Sequence, residues 1–70
     1  MNDTWQYIGD DVWIFGQSIR GFVRHRRGEV YFSEGRGWIW MTRTNNVQRG
    51  IQDNLEMAIH CAEKALGVTG

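Results

Sequence analysis

The chain has 70 residues, 41% of them hydrophobic, with eight basic and eight acidic side chains and a formal net charge of zero. That length sets one small domain spanning residues 1–70. The apolar share argues against a disordered chain, and the charge balance argues against a polybasic, histone-like protein. One cysteine, Cys61, allows no internal disulfide, and one Cys with two distant His fits no zinc site of known spacing, so neither a metal nor a cofactor is expected.

No apolar run is long enough to span a membrane, and the first residues lack a signal-peptide pattern. A free cysteine suits a reducing interior, so the expected location is cytoplasmic. Small domains without staples add buried area by pairing with a copy or a partner.

In chain order, residues 4–8 (TWQYI) and 12–15 (VWIF) are rich in β-branched and aromatic side chains and read as strands, with Gly9-Asp10-Asp11 as the turn between them. Residues 18–25 and 29–33 read as the next pair. Arg26-Arg27-Gly28 joins them in the manner of a three-residue hairpin loop ending in glycine. A second glycine-rich turn, Glu34-Gly35-Arg36-Gly37, leads into 38–42 (WIWMT). Residues 18–42 thus predict a three-stranded antiparallel meander, joined by one strand from the N-terminal region.

Residues 42–52 are polar and irregular, and then the apolar period changes from 2 to 3.6. Asp53-Asn54-Leu55-Glu56 has the form of a capping box, with Asp53 as N-cap. Leu55, Ala58, Ile59, Ala62, Ala65 and Leu66 make one apolar stripe, and Gly67 is placed to end the helix. The expected fold is α+β: an antiparallel sheet of three to four strands within residues 4–42, followed by one helix over about 54–66 packed on one face.

That helix is too little cover. In residues 38–42 Trp38 and Trp40 share one face while Ile39 and Met41 share the other. One helix shields one face, and a single bulge exchanges the two, so the alternation alone does not assign them. The remaining face needs the N-terminal segment, a second copy or a partner.

Candidate contact residues follow from this surplus. Tyr31, Trp38 and Trp40, with Arg36 and Arg43 near them, have the composition of an interface hot spot, against the plain alternative of core packing. Arg20, Phe22, Arg24, Arg26 and Arg27 form a basic, aromatic-bearing segment. It is either a solvated turn or a contact for phosphate or for an acidic protein surface, and so the best nucleic-acid signal in the chain. Seven of the eight basic residues are Arg, which favours bidentate and stacking contacts. Met57, opposite the apolar stripe, and Cys61 beside it are candidate contacts for a dimer. Nothing assembles a nucleophile, a base and an orienting group, so no catalytic residue is expected.

The pattern of a WxW strand (Trp38, Trp40), a glycine (Gly50), and a helix carrying Asp53, Leu55, Glu56, Ala58, Ala62, Glu63, Ala65 and Leu66 resembles small phage and prophage proteins over residues 18–67. Hic-type antitoxins end similarly, but with a DNA-binding extension after the helix. In size and style the chain is similar to anti-CRISPR proteins. The resemblance implies a non-enzymatic inhibitor in the bacterial cytoplasm that binds a defence complex by stoichiometric protein–protein contact. Alternatives are a nucleic-acid-binding module that uses the Arg-rich hairpin, and a self-associating phage structural protein.

Overall fold

The computed structural model describes residues 3–68. It is α+β: five strands, β1 (Asp3–Tyr7), β2 (Val12–Ile19), β3 (Phe22–Ser33), β4 (Gly37–Thr42) and β5 (Arg49–Gln52), then one helix, α1 (Leu55–Leu66). The strands form one antiparallel sheet in sequence order. None of the helices described is long and apolar enough to cross a membrane.

The sheet has five strands where three to four were expected, and the differences have physical causes. The β2–β3 turn is at Arg20 and Gly21, both at positive φ (54° and 82°), the mark of a tight two-residue hairpin turn. Residues 26–28, expected as the loop, lie inside β3. Gly28 is there for space, because a Cβ on it would stand 3.1 Å from Leu66 Cδ1 of the helix. The polar stretch before the helix supplies β5, which pairs with β4 through Ile39–Ile51 and Trp40–Gly50. A Cβ on Gly50 would lie 2.7 Å from the Trp40 indole nitrogen, so glycine lets that ring lie against the edge strand.

The helix begins one residue later than the capping box suggests. Asn54 is the N-cap, extended at φ −143°, and its Oδ1 accepts the Met57 N–H at 2.8 Å. Gly67, at φ 75°, closes the other end: its N–H donates to the Lys64 carbonyl and the Val68 N–H to the Glu63 carbonyl. This is the left-handed cap expected there.

The helix covers the tryptophan face. Val30, Ala58 and Ala62 are fully buried, with Trp5, Trp13, Trp38, Trp40, Leu55 and Ile59 packed around them. Trp5 Nε1 donates to Glu63 of the helix at 3.0 Å, which ties β1 to α1 across the core. Aromatic pairs Trp5–Phe15, Tyr7–Trp13 and Phe32–Trp38, with centroids 4.9–5.2 Å apart, line the same face.

The far end of the β2–β3 hairpin partly covers the other face. The pairing skips Arg27 opposite Phe15 and Gly16, and skips Arg24 opposite Gln17 and Ser18. Two bulges in β3 increase its twist and bend it. At the bend the backbones nearly touch: a Cβ on Gly16 would lie 1.8 Å from the His25 carbonyl oxygen. Beyond it the Val23 N–H donates to Gln6 Oε1 at 2.8 Å. Gln6 pairs with Ile14 on the face away from the helix, and Ile14 is only 3% exposed.

Gly16→Ala is expected to lower stability by about 3 kcal/mol in urea unfolding, since the methyl group must displace backbone. Gly35→Ala, at a positive φ but facing open space, should cost only about 1 kcal/mol. Equal losses would show that the bend does not depend on the close approach at Gly16.

Candidate functional site

Period-2 alternation separates residues that the sequence grouped together. Trp38 and Trp40 belong to the helix-covered face. Tyr31 pairs with Ile39 and lies on the opposite one. There Tyr31, Ile39, Met41 and Ile51 line a cleft of about 310 Å³ with Gly50, Arg36 and Arg49. Ile51 is 52% exposed. The bent hairpin therefore shields the β1–β2 part of this face and leaves the β3–β5 part open.

Arg36, in the β3–β4 turn, and Arg49, opposite Met41, border the cleft, and among the described residues neither has a carboxylate partner. Arg49, Met41, Ile39 and Ile51 were absent from the candidates read in the sequence. The signal that could have found them is parity, since Tyr31 opposite Ile39 puts every odd-numbered residue of β4 on Tyr31's side.

The other arginines divide by partner. Arg27, at a bulge, reaches Asp3 of β1, and Arg43 pairs with Glu29 at 2.5 Å. The Arg43 N–H also donates to the Arg27 carbonyl at 2.7 Å. Both residues are thus engaged in the fold. Arg20, Arg24 and Arg26 are exposed and have no ion pair among the described residues. Phe22 is 58% exposed, and the Arg24 guanidinium carbon lies 5.8 Å from its ring centroid.

Thr42, almost fully buried, anchors the loop before β5: its hydroxyl accepts the Gln48 N–H at 2.9 Å, and its own N–H donates to the Gln48 carbonyl. Beside it a second cleft of about 390 Å³ is lined by Trp40, Gln48, Cys61, Lys64 and Ala65. Trp40 Nε1 is buried without a partner among the described residues, set against Gly50. Cys61 is half-buried, and Met57, on the outer side of the helix, is 49% exposed. Among the described residues no group of three or more His, Cys, Asp or Glu is placed to hold a metal ion. No family model, curated protein or solved structure matches the chain.

Ile51→Glu is expected to leave stability within about 0.5 kcal/mol of the parent, as at other exposed positions. Ile14→Glu, on the same face but under the hairpin, should unfold the domain by burying an unpaired charge. Thermal unfolding followed by circular dichroism reads both. Similar losses would show that the face is covered along its whole width.

Proposed function

We propose that the protein is a small non-enzymatic binding protein that acts by stoichiometric contact with a protein partner, through the open part of its sheet. What supports this reading is the composition of that surface: an apolar strip of Tyr31, Ile39, Met41 and Ile51 between two arginines that have no ion pair among the described residues. An aromatic and aliphatic centre with guanidinium groups at its border is the make-up of an interface hot spot. The complementary surface carries an apolar segment flanked by carboxylates, which Arg36 and Arg49 can take bidentately. The resemblance to small phage-encoded inhibitors suggests a bacterial defence complex as that partner. Trp38 and Trp40 serve the interface indirectly, by holding β4 flat under the helix.

The experiment compares the tagged protein with the Arg36→Glu/Arg49→Glu double variant in capture from nuclease-treated bacterial lysate. Both substitutions lie on exposed side chains, and circular dichroism checks that the fold is kept. A defined protein retained by the parent, lost from the double variant and retained by an Arg24→Ala/Arg26→Ala variant is the expected result. Retention unaffected by the charge reversal at Arg36 and Arg49 would overturn the assignment. So would retention of the protein's own copies alone, which would make the open face a dimer contact.

A further inference from the structure

A second surface, separate from the open sheet face, carries its own chemistry. Residues 18–28 hold four arginines and a histidine with no acidic residue among them. The eight carboxylates of the chain all lie elsewhere. Asp3 and Glu29 pair with Arg27 and Arg43, and Glu63 accepts from Trp5. Asp10, Asp11 and Glu34 sit in the β1–β2 and β3–β4 turns, held together by the Phe32 N–H on the Asp11 carbonyl. Asp53 and Glu56 flank the start of α1. Pairing puts those turns at the end of the sheet where β2 begins, whereas Arg20 and Gly21 follow the end of β2 beyond the bend. Zero net charge therefore conceals a locally cationic hairpin end.

That end also presents apolar surface. Ile19 and Phe22 pair across the turn and are 40% and 58% exposed. Arg24, two residues along β3 at the second bulge, brings its guanidinium carbon to 5.8 Å from the Phe22 ring centroid. An exposed aromatic among unpaired guanidinium groups offers a stacking platform beside phosphate contacts. An acidic protein surface would also engage the arginines; a single strand is favoured because each of its units offers both a phosphate for a guanidinium group and a base for the exposed ring.

We infer that the distal end of the β2–β3 hairpin binds single-stranded nucleic acid, with Arg20, Arg24 and Arg26 on phosphates and a base stacked on Phe22. Contact with three phosphates makes log affinity fall with log salt at a slope of about −2 for a single strand. Loss of the stacked base weakens binding by at least about fivefold.

The test is fluorescence anisotropy with a labelled oligothymidylate, the matching duplex, and polyglutamate as competitor, over a series of salt concentrations. The parent protein is expected to bind the single strand in preference to the duplex, with the stated slope and without displacement by polyglutamate. Arg20→Ala/Arg24→Ala/Arg26→Ala should abolish this binding, and Phe22→Ala should weaken it at least about fivefold. Circular dichroism confirms the fold of each variant, and the salt slope and probe preference are read on the parent whatever the variants do. No salt-dependent binding by the parent overturns the inference. So does preference for duplex, displacement by polyglutamate (which would make the hairpin an acidic-protein contact), or unchanged binding by Phe22→Ala. The Arg36→Glu/Arg49→Glu variant should bind the oligonucleotide like the parent, which separates this surface from the proposed protein-binding face.

Discussion

The helix can lie against the sheet only because the positions that meet have almost no side chain. Ala58 and Ala62 are fully buried against Val30, Gly28 leaves room for Leu66, and Gly50 leaves room for the Trp40 indole. Around this close approach the four tryptophans fill the remaining space. All four are only partly buried, yet each still removes more apolar surface from water than a smaller side chain would. The Asn54 cap contributes about 1 kcal/mol and the partly exposed Arg27–Asp3 pair about 0–1 kcal/mol. Tryptophan packing on a glycine- and alanine-made seat therefore dominates the stability, and the caps and ion pairs set boundaries and direction.

The one helix described covers one face, and part of the second face is covered by the sheet itself. Two bulges in β3 and the missing side chain of Gly16 turn the β2–β3 hairpin over Ile14. The cover reaches only the β1–β2 side. The open cleft over β3–β5 is thus a direct result of where the bend falls. The same bend carries the hairpin end away from the carboxylate-bearing turns, so one local backbone feature creates both candidate surfaces.

Sequence patterning carried some of this and not the rest. The helix was legible because an apolar stripe at period 3.6 and a terminal glycine agree on one answer, and Gly67 caps it as read. The strands were legible as apolar segments, and the turns at residues 9–11 and 34–36 fall where they were read, but the β2–β3 turn does not. A glycine records that a Cβ is unwelcome without saying why: Gly21 permits a left-handed turn, Gly16 the close approach of the partner strand at a bulge, and Gly28 a helix passing overhead. Reading Gly28 as a turn moved the hairpin tip seven residues along the chain, from Gly21 to Gly28. β5 was missed because Arg-Gly-Ile-Gln has no alternation of its own, and its place is fixed by β4. The apolar surplus was legible, but its division between faces was not, since a register determines which residues of β4 lie with Tyr31.

The seven arginines show how carboxylate supply decides what a charged residue does. Where a carboxylate is within reach, as for Arg27 and Arg43, the side chain joins neighbouring segments and is withdrawn from recognition. Where none is among the described residues, the guanidinium keeps its full capacity for an external anion, and two such sets arise, Arg36 with Arg49 and Arg20 with Arg24 and Arg26. Screening in salt confines each set's influence to about 10 Å or less. A partner therefore meets the local charge of the surface it touches, and the molecular average of zero has little bearing on either contact. Arginine suits both places for different reasons: its planar fork matches a carboxylate at the cleft border, and its flat face can lie on Phe22 at the hairpin end.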